Sequence, residues 1–152
     1  MQERPNPYKT VHGVYKAMSG LQGFVDASGL EHSLVELVKL RASQINGCAY
    51  CVDMHYRKAR QAGESEERLA LVAVWREAPV FTARERAALA WTEATTLIAG
   101  TGVSDALFEE TRRQFKDDEL VKLTMAIVAI NGWNRLSVAF AIPPRLASAK
   151  PS

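Results

Sequence analysis

The residues best suited to chemistry lie close together in NGCAYCVDMH, residues 46–55. This segment holds both cysteines of the chain, Cys48 and Cys51, and a histidine four residues beyond the second cysteine, His55. At about 100° per helical residue, the three side chains share one face. The first turn of a helix stabilises a thiolate, which is the reactive form of cysteine. The spacing therefore predicts a dithiol redox centre, with His55 as the base that accepts a thiol proton.

A carboxylate that orients this histidine is expected on the preceding helix. Glu36 lies twelve residues before Cys48, and an antiparallel pair of helices would return it to the neighbourhood of His55. Such a carboxylate would fix the tautomer of the imidazole and stabilise it once it is protonated. Glu31 and Asp53 are alternatives for the same role, and spacing alone does not choose among the three.

Three other interpretations of the cysteine pair are weaker. A disulfide that closes this four-residue loop would stabilise the fold by only about 2 kcal/mol, through the conformational entropy that the denatured state loses. It would also rarely persist in a reducing cytosol. Zinc could be bound by Cys48, Cys51 and His55, with Glu36 or His32 as the fourth ligand, but the chain has no second C-x-x-C or H-x-x-H pair. The pair could also be two inert buried thiols. The redox interpretation is favoured, and neither a metal nor a cofactor is predicted.

Composition and charge argue against several other classes of function. Of the 152 residues, 47% are apolar and 24% are charged, which is ordinary for a globular protein. The formal net charge of +2 is too small to indicate a nucleic-acid or anionic-membrane partner. The start, MQERPNPYKT, lacks the apolar core of a signal peptide, and no apolar run of about 18 residues occurs. A cytoplasmic protein without membrane segments is therefore expected.

Apolar residues recur at helical spacing along the chain, and no stretch shows the alternation of a strand. Asn46-Gly47 is a helix stop, Ser65 is a helix N-cap, and Thr82 with Glu85 forms a capping-box pattern. These signals predict an all-α fold, a single-domain bundle of about seven helices over residues 1–152. The predicted helices are 7–28, 30–45, 48–61, 65–75, 82–98, 104–115 and 118–142.

The closing helix contains a segment that is apolar on all sides, MAIVAI at residues 125–130. Such a segment lies either at the centre of a monomer's core or at a subunit interface of a homo-oligomer, and the pattern leaves both open. The same helix carries Arg135, whose burial would require a partner. A carboxylate such as Glu85 or Glu93 is the predicted partner.

The stretch ELVKLRASQINGCAYCVDMH resembles the signature of the alkylhydroperoxidase D-like family, within the carboxymuconolactone decarboxylase superfamily. The match rests on Glu36, Cys48, Tyr50, Cys51 and His55. FTARERAALAWTEATTL and INGWNRLSVAF are also similar to family members, so the resemblance extends over about residues 8–143. The decarboxylase branch generally lacks the cysteine pair, and its presence here favours the peroxidase branch.

The resemblance implies a helical, oligomeric thiol peroxidase that reduces hydrogen peroxide or small organic hydroperoxides. Carried over to this chain, Cys51 attacks the peroxide and is oxidised to sulfenic acid, and Cys48 then closes the disulfide. Glu36 and His55 form a proton relay through a water. Helix-terminus electrostatics alone would instead make Cys48 the more acidic thiol, because it lies nearer the start of the helix.

Tyr50 and Trp133 are the candidates for the substrate pocket, Tyr50 within the family signature and Trp133 within NGWNR. The resemblance also implies a thiol or lipoyl-type protein reductant and assembly into a dimer, trimer or hexamer. The alternatives are a general disulfide reductase, a non-enzymatic metal-binding or assembly module, and a carboxymuconolactone decarboxylase-like lyase.

Overall fold

The computed structural model describes residues 2–145, and over this part of the chain every regular element is a helix. The predicted all-α fold is therefore confirmed, and residues 2–145 form nine α-helices in place of the predicted seven or so. A 3-10 turn at Val72–Val74 continues α5. The helices are α1 Pro7–Thr10, α2 Val14–Asp26, α3 His32–Ile45, α4 Ala49–Gln61, α5 Glu66–Leu71, α6 Ala83–Thr96, α7 Ile98–Thr101, α8 Asp105–Arg112 and α9 Asp117–Ala139.

The number of helices differs from the prediction for two reasons. The first predicted helix is broken between α1 and α2 at Gly13, which adopts a left-handed conformation with φ of 95°. The helix predicted over 82–98 ends at Leu97, where φ is −98° and ψ is 26°, and a short helix that was not predicted, α7, follows it at Ile98–Thr101. A single residue outside helical geometry is enough to end the hydrogen-bond ladder, and apolar periodicity does not register such a break.

Most of the predicted helix termini are present. The Ser65 side chain accepts a hydrogen bond from the Arg68 N–H, and both hydrogen bonds of the capping box between Thr82 and Glu85 are formed. The closing helix ends at Ala139, before the predicted 142. Phe140 leaves helical geometry with φ of −105° and ψ of 13°, and Ala141 has a left-handed φ of 50°, so the helix ends before the residues that precede Pro143.

The central helix of the bundle is α3, which packs against α4, α6 and α9. Leu37, Val38 and Leu40 of this helix are almost completely buried, and each such side chain contributes about 1.5–3 kcal/mol of burial free energy. Glu36 and Lys39 are buried on the same helix. Buried charges need partners, and the two side chains pair with each other at 3.7 Å.

The closing helix α9 is partly core and partly surface. Within 125–130, Ala126, Ile127, Ala129 and Ile130 are buried, whereas Val128 is 49% exposed. Val121, one heptad earlier on the same face, is also exposed. The segment is therefore a core element that also presents an apolar strip to the outside.

The predicted pairing of Arg135 with a carboxylate is wrong. Its guanidinium donates to the backbone oxygen and to Oδ1 of Asn131, one turn earlier on the same helix. Glu85 and Glu93 already pair with other arginines. Because Arg135 lies on the exposed side of α9, it needs no buried counter-charge. Over residues 2–145, no helix is both long and apolar enough to cross a membrane.

Candidate active site

The cysteines lie where α3 turns into α4. Gly47 has a φ of 64°, a left-handed conformation that glycine adopts without strain, and it lets the chain reverse after α3. Cys48 follows as the N-cap of α4, one position before the predicted first turn. Its sulfur accepts a hydrogen bond from the Cys51 N–H at 3.3 Å. Cys48 therefore caps the helix with its own side chain, as a serine or aspartate would.

The two thiols are free, almost completely buried, and coupled to each other. Hydrogen bonds from the Cys51 thiol and, more weakly, from its backbone N–H outweigh burial and lower the pKa of the Cys48 thiol to about 6. Donation to Cys48, together with burial, raises the pKa of Cys51. Such a pair titrates as a unit, so near neutrality it keeps one proton and carries one negative charge, held mainly on Cys48.

A polar network from α9 supports the turn that carries Cys48. The Asn46 side-chain amide donates to Oδ1 of Asn131 at 3.0 Å and to Oδ1 of Asn134 at 2.9 Å. Asn134 in turn donates to Ser43 Oγ at 3.0 Å. Asn134 and Ser137 lower the pKa of the Cys48 thiol and so favour its ionised form. Sequence reasoning missed Asn134 and Ser137, although polar residues in an otherwise apolar helix were a usable signal.

His55 and Glu36 form a buried hydrogen-bonded pair across α3 and α4. His55 Nδ1 lies 2.8 Å from Glu36 Oε2, as the antiparallel arrangement of the two helices predicts. The competing carboxylates are engaged elsewhere, Glu31 with Arg84 and Asp53 with a neighbouring arginine. Glu36 is therefore the residue that orients His55.

The protonation states of this pair suit a proton relay. Burial lowers the pKa of His55 and outweighs the opposing effect of Glu36, so the imidazole is neutral near pH 7. Burial by itself raises the pKa of Glu36, but the hydrogen bond from His55 and the charge of Lys39 outweigh it and lower that pKa. The ionised carboxylate accepts the Nδ1 proton, and this leaves Nε2 with a lone pair.

Lys39 is a member of the site that sequence reasoning missed. Its ammonium lies 3.7 Å from Glu36 Oε1, and the residue is only 4% exposed. Burial lowers the pKa of Lys39, against the favourable charge of Glu36. The only signal in the sequence was a lysine one turn after Glu36 on a largely apolar helix.

A cavity of about 530 Å³ opens onto the site. Cys51 and His55 line its buried end, whereas Cys48 lies behind Cys51 and packs against Ala42 and Ile130. Tyr50 and Trp133, the two pocket candidates, both line it. Its other lining residues include Asn6, Tyr8, Tyr15, Gln22, Met54, Ser137, Ile142, Pro143 and Pro144.

One wall of the cavity is aromatic. The rings of Tyr8, Tyr15 and Trp133 are in mutual contact, with centroids 5.8–6.0 Å apart. Burial raises the pKa of Tyr8, and the nearby negative charge of the thiols adds to this. Tyr8 belongs to the short helix α1, which sequence reasoning joined to α2, and its place beside Cys51 was not predicted.

The three-ligand metal set that the spacing allows is not assembled. Within residues 2–145, no group of three or more His, Cys, Asp or Glu side chains is arranged to hold a metal ion. His55 Nδ1 is engaged by Glu36. Cys51 and His55 line the same cavity, and the imidazole is held by Glu36 on its other side.

The helical bundle with its cysteine pair at the start of α4 has the alkylhydroperoxidase D-like fold. Residues 13–94 match the model of the carboxymuconolactone decarboxylase family. The chain is also 36% identical over 139 residues to the uncharacterized protein YdfG of Bacillus subtilis, across 91% of this chain and 95% of that one. This chain belongs to the carboxymuconolactone decarboxylase family.

Solved structures show the same relationship. A protein of unknown function from Agrobacterium tumefaciens, considered a candidate antioxidant defence protein AhpD, is similar with a TM-score of 0.92 and 49% identity over 95% of this chain and 99% of that one. The debrominase Bmp8 is similar with a TM-score of 0.78 and 20% identity over 87% of this chain and 71% of that one. At that identity the likeness shows the fold alone, on which enzymes with different chemistries are built.

Proposed function

We propose that the protein is a thiol peroxidase that reduces hydrogen peroxide or organic hydroperoxides through the Cys48–Cys51 pair. The observation that carries this proposal is the placement of four side chains at the buried end of the cavity. Cys51 lines the cavity beside His55, His55 is held by Glu36 at 2.8 Å, and Cys48 is in contact with Cys51 from behind. The site thus provides a nucleophile, its base, a carboxylate that orients the base, and a second thiol.

The reaction runs in two steps. The Cys51 sulfur attacks the terminal oxygen of the hydroperoxide, an S–O bond forms, the O–O bond breaks, and the sulfur becomes a sulfenic acid. His55 takes the thiol proton and delivers it to the departing oxygen, which leaves as an alcohol or as water. The Cys48 thiolate then attacks the sulfenic sulfur and displaces water with one further proton, so two thiols supply the two electrons.

Burial of the thiols distinguishes this function from a general disulfide reductase. Both cysteines are 1% exposed, and the cavity that reaches Cys51 is about 530 Å³ in volume. A disulfide on the surface of a folded protein cannot approach Cys51, whereas a peroxide can. The same restriction applies to the reductant, so we propose a thiol carried on a flexible arm, such as a lipoyl group. The decarboxylase alternative uses no thiol chemistry and gives the cysteine pair no role.

The test is a stoichiometric oxidation of metal-free protein. One equivalent of hydrogen peroxide should convert two free thiols into one intramolecular disulfide, with no dimer linked through sulfur. Thiol titration and mass spectrometry of the unreduced protein measure both quantities. Thiols that survive an excess of peroxide at neutral pH would rule out the peroxidase, and disulfide formation only with an oxidised dithiol would favour the disulfide reductase.

A further inference from the structure

The lining of the large cavity has one sign of charge. Lys39, Lys58 and Arg145 contribute cations, and no aspartate or glutamate lines it within the part of the chain that the structure describes. Lys39 is engaged with Glu36 at 3.7 Å. Lys58 and Arg145 are exposed, and neither forms an ion pair with a described carboxylate. The mouth of the cavity therefore carries two positive charges without an ion-pair partner among the described carboxylates, although Lys58 also lines a second cavity together with Asp26 and Glu36.

The lysine at the mouth is aligned with the reactive groups. Cys51, His55 and Lys58 are separated by four and then three residues on α4, so they share one face of that helix. Seven residues of helix place Lys58 about 10 Å from Cys51 along the axis. A molecule extended along this face would meet the thiol at one end and the ammonium at the other.

A smaller cavity of about 230 Å³ continues from the mouth. It shares Tyr50, Lys58 and Arg145 with the large one, and the Arg145 guanidinium lies 6.0 Å from the centre of the Tyr50 ring. Asp53 also lines it but is neutralised by Arg57 at 2.8 Å. The two cavities thus meet at Lys58 and Arg145, away from the aromatic wall.

We infer that the preferred substrate is an organic hydroperoxide with an apolar body and a carboxylate about 10 Å from the peroxide group. This inference rests on the proposed peroxidase function. The negative charge on the cysteine pair repels a carboxylate, so the neutral hydroperoxide end enters first and the carboxylate stays between Lys58 and Arg145. The cysteine pair supplies two electrons, and the products are the corresponding hydroxy acid, water and the Cys48–Cys51 disulfide.

The experiment compares a medium-chain hydroperoxy carboxylic acid with its methyl ester, which has the same body without the charge. The measured quantity is the ratio of kcat/KM for the acid to kcat/KM for the ester, with hydrogen peroxide as the reference substrate. The variants are Lys58→Gln and Arg145→Gln. Lys122→Gln is the matched control, because Lys122 lies eleven residues before the cavity-lining Trp133 on α9, about 16 Å along the axis.

The acid should be favoured by about tenfold or more at low salt, and each variant should lower the ratio by up to about fivefold, the upper range for one exposed ion pair. Added salt should lower the ratio in the original protein, and Lys122→Gln should leave it unchanged. Equal kcat/KM values for acid and ester, with hydrogen peroxide still reduced, would overturn the inference and leave the peroxidase standing. Failure to reduce hydrogen peroxide and both organic substrates would overturn the proposed function itself.

Discussion

Replacement of Glu36 by glutamine tests the proton relay most directly. The substitution keeps the size of the side chain and an oxygen that can accept the His55 Nδ1 proton, and it removes the negative charge. During the proposed attack on peroxide, His55 becomes an imidazolium, and the carboxylate 2.8 Å away stabilises that charge. Glu36→Gln should therefore slow peroxide reduction while leaving both thiols in place.

The size of the effect follows from the contact. Exchanging a charge-assisted hydrogen bond for a neutral one costs about 1.5 kcal/mol, or roughly tenfold in rate. Loss of the full Coulomb attraction at about 4 Å and an effective dielectric constant of about 20 would cost about 4 kcal/mol, or nearly 1,000-fold. The expected loss in kcat/KM lies between these limits, at about 100-fold, which agrees with the usual contribution of a general base.

The assay is steady-state peroxide consumption with a saturating dithiol reductant, alongside thermal unfolding to verify the fold. Glu36→Gln leaves the buried Lys39 ammonium without its carboxylate, so a second comparison is needed. Glu36→Gln combined with Lys39→Met, measured against Lys39→Met alone, isolates the carboxylate in a background without that buried charge. Glu31→Gln is the matched control, because Glu31 pairs with Arg84 and lies outside the site.

Two results would refute the relay. Normal kcat/KM in a folded Glu36→Gln protein would make Glu36 a structural residue only. Losses from Glu36→Gln and His55→Ala that multiply in the double variant would show that the two act independently, since residues acting as a unit are strongly non-additive.

Four other predictions follow from the same geometry. Cys51→Ser should abolish the sulfenic acid and Cys48→Ser should trap it, as mass spectrometry after a peroxide pulse would show; a sulfenate trapped on Cys48 would reverse the roles. The lowered pKa of about 6 means that the Cys48 thiolate is present above pH 6 and lost below it. Thiolate absorbance should titrate there, and Cys51→Ala should move the midpoint upward by removing the largest cause of the shift. Sedimentation should give a multiple of 16.8 kDa that Val128→Asp reduces, whereas a concentration-independent monomer would contradict assembly. Elemental analysis should find no stoichiometric zinc, and one tightly held zinc per chain would overturn the redox proposal.

Local spacing was sufficient to predict the part of the site that lies on two consecutive helices. Cys51 and His55 share a face because helical periodicity requires it, and Glu36 returns to them because Asn46 and Gly47 end α3 and reverse the chain. The fold class was predictable for the same reason, since apolar periodicity and capping signals are local.

The residues that sequence reasoning missed are those placed by distant parts of the chain. Tyr8 lines the cavity only because α1 packs near the end of α9. Asn134 lies beside the turn that carries Cys48, although it is 86 positions later in the chain. Lys39 was visible on α3, but only tertiary packing shows that it is buried beside Glu36. No periodicity encodes the positions of Tyr8 and Asn134, because each depends on how α1 or α9 packs against the rest of the bundle.

The electrostatics of the cysteine pair fit the proposed order of attack. Cys48 holds the negative charge but lies behind Cys51, and Cys51 lines the cavity but keeps its proton. A thiol with a raised pKa is intrinsically the stronger nucleophile once its proton is removed, and that removal is the task that His55 and Glu36 are placed to perform. The second step needs an ionised thiol next to the sulfenic acid, and Cys48 is ionised before the reaction begins. The low pKa of Cys48 therefore suits the proposed resolving thiol, and the raised pKa of Cys51 is the reason that the proposed mechanism includes a proton relay.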